Sequence, residues 1–287
     1  MKAIRLRTEY LNNPQGIDRI HPRLFWNCEG GIRQTAYQIR LTEEEHVIWD
    51  SGKTESGSMR AEVPVSLKSR QALAWQVRLW DEADQAGEWS EKGCFEMGLL
   101  KGEDWKASWI TGDYAPSKKE RYPVDCFRNR FTVQGPVKKA RLYAAACGDY
   151  EASLGGEKVA DFCFAPGYTD YRKRIQYQTY DVTSMLVQGE NTLELLLADG
   201  WYRGSCGAYG ITYQYGLETR ALAQLEIEYE DGSQDQILTD DSWDWSNDGP
   251  IRFADHKDGE TVDARKMPSL ICQVIFPLNT RVFMHYL

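Results

Sequence analysis

The residues best equipped for chemistry lie in the stretch 148–210, GDYEASLGGEKVADFCFAPGYTDYRKRIQYQTYDVTSMLVQGENTLELLLADGWYRGSCGAYG. Carboxylates recur through it: Asp149, Glu151, Asp161, Asp170, Asp181, Glu190 and Asp199. Two carboxyl groups across a glycosidic bond, one acid and one base or nucleophile, are what glycoside hydrolysis requires. An acidic chain carries that many carboxylates in any case, and spacing alone does not show which of them face each other. Asp181 reads as a helix cap and Asp199 as a turn residue. The second chemistry is stacking. Tyr168, Trp201 and Tyr202 stand beside Asp170, Arg172, Arg174 and Arg203, close to Gly167, Gly200 and Gly204, which points to loops. Binding groups concentrate on loops held by a rigid scaffold. Rings that stack on a sugar, with polar groups that grip its hydroxyls, make a carbohydrate site. The same Tyr–Arg composition suits a domain interface, with Arg174 and Arg203 as ion-paired anchors and Trp201 as a buried plug. Such a face, left uncovered, would favour self-association. Calcium needs several hard oxygens. Asp149 and Asn191 are weak candidate donors that match no ligand pattern, so no cofactor is expected beyond that possibility.

Other chemistries find little support. His21, His46, His256 and His285 are far apart, and none lies in a nucleophile motif such as G-x-S-x-G. Phosphate-binding and dinucleotide-binding glycine patterns are missing. The seven cysteines are scattered singly with no C-x-x-C, which argues against a disulfide framework and a zinc site.

The elements that must carry these residues read as strands. In the first hundred residues LFWNC is a short aromatic strand. TAYQIRL alternates, with Tyr37, Ile39 and Leu41 on one face and Gln38 and Arg40 on the other. VIWDSGK turns at 50–52, AEVPVSL reads as another strand, Trp75, Val77 and Leu79 share a face, and CFEMGLL ends the set. About seven short strands at this spacing suggest a sandwich. Residues 101–123 are polar and broken by Gly and Pro, but Trp105, Trp109 and Ile110 imply a docked linker. A second β unit then spans 124–266. Gly155-Gly156 marks a hairpin turn, and DVTSML a helical turn capped by Asp181 or Thr183. Leu193, Leu195 and Leu197 mark a buried strand. A further hairpin turns at Asp231-Gly232, with Ala223, Leu225, Ile227 and Tyr229 facing in and Gln224, Glu226 and Glu228 facing out. The fold class is therefore all-β: a fibronectin-type-III-like sandwich over 1–100, then a larger jelly-roll-type sandwich. The apolar segment 267–287 breaks the pattern and reads as an atypical or truncated tail.

Composition narrows the partners. The net charge of −9 and the lack of a basic block speak against nucleic acid. No apolar run approaches the length of a membrane span, and MKAIRLRTEYLNNP has no apolar h-region, so a cytoplasmic protein with free thiols is expected. The high aromatic content suits half-buried pleated surfaces.

These segments together resemble a known family. LRTEYLNNPQGIDRIHPRLFWNCEGGIRQTAYQIRL, VIWDSGK, AWQVRLWD and WSEKGCFEMGLL are similar to the fibronectin-type-III-like N-terminal module of bacterial α-L-rhamnosidases of the glycoside hydrolase family 78 type. WITGD, FRNRF, ARLYAAACGDYEASLGGEKVAD, APGYTDYRKRIQYQTYDVT, GENTLELLLADGWYRG and DGPIRFADHKDGETVDAR resemble the β-sandwich that follows it. The likeness runs from about Ile4 to Arg265 in family order, with Gly155-Gly156 in place of the usual Asn-Gly. It implies a longer enzyme that releases terminal α-L-rhamnosyl residues by inversion. The acidic pair of such an enzyme lies in an (α/α) barrel downstream of these modules. The resemblance thus implies a non-catalytic accessory region, inactive alone. Its partners would be the catalytic domain and, through the whole enzyme, a rhamnosylated glycan. Some related modules bind rhamnose with calcium, which is the alternative role for the Tyr168, Asp170, Arg174, Trp201, Tyr202 and Arg203 cluster.

Overall fold

The computed structural model describes residues 1–266 and 271–272. The tail expected over 267–287 lies almost entirely outside the described residues. The chain divides into two compact units, one ending at Asp104 and the other starting at Trp105.

The first unit is a two-sheet antiparallel sandwich. Its strands are β1 (Lys2–Thr8), β2 (Arg23–Glu29), β3 (Ala36–Glu43), β4 (His46–Asp50), β5 (Thr54–Glu55), β6 (Arg60–Glu62), β7 (Ala72–Trp80) and β8 (Gly93–Glu96). One sheet runs β1-β2-β6 and the other β4-β3-β7-β8, with β5 also on β3. Leu24 and Trp26 of the first sheet pack with Ile39, Leu41, Trp75, Val77 and Leu79 of the second, as period-2 alternation requires. The strand expected over AEVPVSL is only three residues long and stops before Pro64. A proline has no N–H for the ladder, so it cannot extend one.

The expected linker is not a separate body. Asp104 belongs to the first unit, where its carboxylate accepts from Ser69 Oγ at 2.6 Å and Arg70 at 3.2 Å. From Trp105 the chain is woven into the second unit. The N–H groups of Lys106 and Ala107 donate to Gln224 Oε1, and Ile110 exchanges two backbone hydrogen bonds of 2.9 Å with Ala221. Gln224 is therefore interior, at 0% exposure, and not on the solvent face expected from alternation. The strand period was read correctly; a neighbouring segment covers the outer face.

The second unit contains β9 (Asp125–Val133), β10 (Val137–Cys147), β11 (Asp149–Leu154), β12 (Glu157–Lys158), β13 (Tyr177–Asp181), β14 (Gly189–Ala198), β15 (Arg220–Tyr229), β16 (Gln234–Leu238), β17 (Asp244–Ser246), β18 (Ile251–Asp255), β19 (Gly259–Val262) and β20 (Ile271–Cys272). A four-stranded sheet runs β13-β10-β15-β16, a six-stranded one β12-β11-β14-β9-β17-β20, and β18-β19 form a hairpin. Every pairing is antiparallel. Leu193, Leu195 and Leu197 of β14 meet Leu142 and Ala144 of β10 and Leu225 and Ile227 of β15 in the core. Gly155 and Gly156 both hold positive φ, +60° and +87°, as a tight two-residue hairpin needs.

The end of β10 is buried on both faces. Ala144 and Ala146 point into the sandwich, while Ala145 and Cys147 lie in a second apolar cluster with Tyr171, Ile175 and Leu222. A strand buried on both sides needs a cover on its outer face. Trp105, Trp109, Trp201, Tyr202 and Tyr215 supply it. Among the described residues no helix is long and apolar enough to cross a membrane.

Candidate functional site

The stretch 148–210 separates into three places. The first is the aromatic cover. Tyr202 packs edge-on to Tyr171 with centroids 5.4 Å apart, and Tyr168 packs edge-on to Trp201 at 5.9 Å. The Tyr168 and Tyr215 hydroxyls are 3.1 Å apart, and the Tyr168 ring is 53% exposed. Asp170 and Arg172 form a surface pair at 2.9 Å, which holds the Asp170 carboxyl below its usual range. Arg174, half-buried, donates to Gln176 Oε1 at 3.2 Å in the amide orientation that satisfies both ends of that side chain. Tyr168, Asp170, Arg174, Trp201 and Tyr202 thus share one region, and most of their contacts close the fold.

Arg203 is a correction. It does not face a ligand or a partner, because it is interior, at 1% exposure. Asp199 is no ordinary turn residue either. A short helix, Gly200–Arg203, places Arg203 one turn after Asp199, and Nε donates to Asp199 Oδ1 at 2.7 Å. The guanidinium also donates to the Tyr114 hydroxyl at 2.6 Å and to the Leu217 carbonyl at 3.3 Å. Tyr114 donates onward to Asp125, which also accepts from Trp245 Nε1 at 3.0 Å and Thr219 Oγ1 at 3.3 Å. Burial pushes the Asp125 carboxyl up to about 6, against the pull of Arg203. Asp199 is likewise raised by burial. Burial alone would pull Arg203 down, but Asp199 and Tyr114 outweigh it, and its proton is held more tightly than usual. This network is a built interior, not a reactive centre.

The third place is an open cavity of about 480 Å3 between β11, β14, the 162–164 loop and the β18-β19 hairpin. At its floor Asp149 Oδ2 contacts His256 Nε2, and burial raises the Asp149 carboxyl despite that contact. The His256 ring stacks on Trp201 with centroids 3.9 Å apart and meets Phe164 at 4.8 Å. The Asp255 carboxylate accepts backbone N–H groups of Ser205, Lys257 and Asp258 at 2.7–3.0 Å, which fixes the hairpin turn.

Asp149 and Asn191, weighed as calcium donors, are not brought together. They lie toward opposite ends of β14: Asp149 is level with Ala198, and Asn191 with Phe131. The Asn191 side chain closes its own turn, accepting from Val187 N at 3.1 Å and donating to the Val187 and Gly189 carbonyls. Other carboxylates of the stretch also have local work. Glu151 binds Lys158, and Asp181 accepts from Thr183 Oγ1 at 2.6 Å. At the 3-10 turn Thr183–Met185 the cap position falls on Val182, which makes no side-chain cap bond, while Asp181 Oδ1 accepts the Thr183 N–H at 3.1 Å, as a capping carboxylate does.

Sequence reasoning missed His256, Phe162, Phe164 and Asp125. Asp125 carried a signal, since it lies two residues before core Phe127 and therefore on the same strand face. A carboxylate on an inward face implies partners. His256 carried no local signal, as its partner Asp149 is more than a hundred residues away.

Comparison with known proteins supplies the family. Residues 3–101 match the Rha78A-like N-terminal immunoglobulin domain, and residues 135–277 match the alpha-L-rhamnosidase N-terminal domain. An alpha-L-rhamnosidase of Formosa agariphila is 36% identical over 283 residues, covering 91% of this chain and 30% of the relative. One from an Alteromonas species is 36% identical, covering 88% of this chain and 29% of the relative. The chain thus spans about a third of the length of the relatives it matches. Among solved structures, the Aspergillus terreus rhamnosidase superposes with a TM-score of 0.85 at 32% identity, covering 93% of this chain and 32% of that one. The Streptomyces avermitilis alpha-L-rhamnosidase complexed with L-rhamnose gives 0.87 at 26%, covering 97% and 45%. The chain belongs to the α-L-rhamnosidase family, of which it carries the N-terminal immunoglobulin-type and β-sandwich domains.

Proposed function

We propose that this chain is the accessory region of an α-L-rhamnosidase, supporting a separate hydrolytic domain that releases terminal α-L-rhamnosyl residues, and that it does not hydrolyse rhamnosides by itself. The carrying observation is the match in family and length: two N-terminal domains fill most of the chain, which spans 30% of the Formosa relative. The engagement of the carboxylates agrees with this. Hydrolysis needs two carboxyl groups facing across a substrate, whereas Asp149, Asp199 and Asp255 are held by His256, Arg203 and backbone N–H groups. Two measurements test the reading. The pure chain is expected to give no turnover of an aryl α-L-rhamnoside; turnover removed by one carboxylate substitution in this chain overturns the proposal. Spliced in place of the matching third of the Formosa enzyme, it should yield a folded, active chimera. A chimera that folds yet loses all activity would count against a supporting role.

The exposed Tyr168 ring, beside the Asp170–Arg172 pair, favours a second reading in which this rim binds a rhamnosyl group. Tryptophan fluorescence on titration with L-rhamnose, with and without calcium, tests it. Saturation lost in Tyr168→Ala supports it, and no response at millimolar sugar removes it.

A further inference from the structure

The cavity beside His256 is separate from the Tyr168 rim, and its chemistry is different. Its walls are mostly apolar: Val124, Leu196, Ile251 and Ala254 line it, and Phe162 and Phe164 stand at its mouth. These two rings are 57% and 58% exposed. Phe164 also holds a left-handed backbone, φ +58°, which a bulky L-residue adopts only at a cost. Strain of this kind gathers at binding sites. Here it holds a large apolar ring at the edge of an opening, where burial returns little.

The polar groups of the floor are already committed or sealed. Asp255 is saturated by backbone N–H groups. Asp149 Oδ1 and His256 Nδ1 are closed off from solvent and have no hydrogen-bond partner among the described residues. With these groups committed or sealed, the deep part of the cavity suits apolar groups better than hydroxyls, whose burial unpaired costs on the order of 1–3 kcal/mol each. The lining also holds two glutamates, Glu151 and Glu260. Glu151 is tied to Lys158 at 2.5 Å, while Glu260, exposed on the hairpin, has no partner among the described residues. Carboxylates accept hydrogen bonds and donate none. The volume lies within the range of small-molecule pockets.

We propose that this cavity binds a flat, apolar ligand whose edge carries hydrogen-bond donors, a phenolic ring being the simplest case, with its face against Phe162 and Phe164 and its hydroxyl donated to Glu260. The inference is independent of the accessory role above, since it concerns binding by the isolated chain.

Calorimetric titration of the purified chain with three probes tests it: 2-naphthol, 2-methoxynaphthalene and 2-naphthoate. 2-Naphthol is expected to bind one-to-one, and loss of its O–H in the methoxy analogue to weaken binding by about tenfold, as for one hydrogen bond to a charged group. 2-Naphthoate, an anion facing two carboxylates, is expected not to bind. Glu260→Gln, at an exposed position, should reduce the naphthol-over-methoxy preference and leave methoxynaphthalene binding unchanged. Ala254→Phe, which fills the cavity, should abolish binding of 2-naphthol and 2-methoxynaphthalene with the circular dichroism spectrum unchanged. Equal binding of all three probes, naphthol binding that survives Ala254→Phe, or competition by millimolar L-rhamnose overturns the proposal. Should Ala254→Phe not fold, the probe series on the native chain and Glu260→Gln still decide it.

Discussion

At the scale of single residues, Arg203 shows how a motif can look like a binding group and serve the interior. It lies between two buried carboxylates, bonding Asp199 directly and Asp125 through Tyr114. Removing one partner from a buried ionic set leaves an uncompensated charge, at a cost of about 3–5 kcal/mol. Arg203→Met is therefore expected to lower stability by that order in urea denaturation. Adding Asp199→Leu should recover part of the loss, because the orphaned carboxylate is then gone. No recovery would mean that Arg203 acts mainly through packing. The glycines of the same motif are equally constrained. A Cβ on Gly204 would lie 2.4 Å from Asp255 Oδ2 and 2.5 Å from the Gly200 carbonyl. Gly204→Ala should lower the melting temperature, read by differential scanning calorimetry, although it adds only one methyl group.

At the scale of elements, β14 separates core from surface along one strand. Leu195 is buried between the sheets, while its neighbour Glu194, half-buried on the other face, pairs with Arg128. Leu195→Ala should cost about 2–5 kcal/mol through lost burial and a residual cavity. Glu194→Ala should cost about 1 kcal/mol or less, as for partly exposed ion pairs. Equilibrium unfolding of the two variants checks the contrast, and similar losses would mean the strand is not placed as described. β14 was legible in the sequence because alternation in Leu193, Leu195 and Leu197 reports a face directly. β15 was only half legible. Its inward residues were read correctly, but Gln224 was assigned to solvent. The segment that covers it, near Lys106, lies more than a hundred residues away, and strand period holds no information about what packs on the second face.

At the scale of the whole molecule, the Asp125 site gives stability a pH dependence. An unfolded Asp releases its proton near 3.9, whereas the folded chain keeps this one to about 6. Folding therefore favours the protonated form, and the stability this site contributes at low pH declines as pH rises from about 4 through 6. Asp125→Asn should flatten that part of the profile in urea midpoints taken from pH 4 to 7; an unchanged slope would assign it to other groups. Each unit also has its own apolar core. Residues 1–104 expressed alone should thus unfold cooperatively on heating, followed by circular dichroism. The amino-acid sequence by itself determined the all-β class, the main hairpins, the buried faces of β3, β7 and β14, and the family, because each is written in local alternation, turn residues and ordered motifs. Only the tertiary structure decided that the aromatic loops cover a sheet, that Arg203 is interior, and that Asp149 meets His256 below Phe164. Those facts depend on contacts between residues far apart in the chain, where burial and partner choice follow from packing and leave no mark in local spacing.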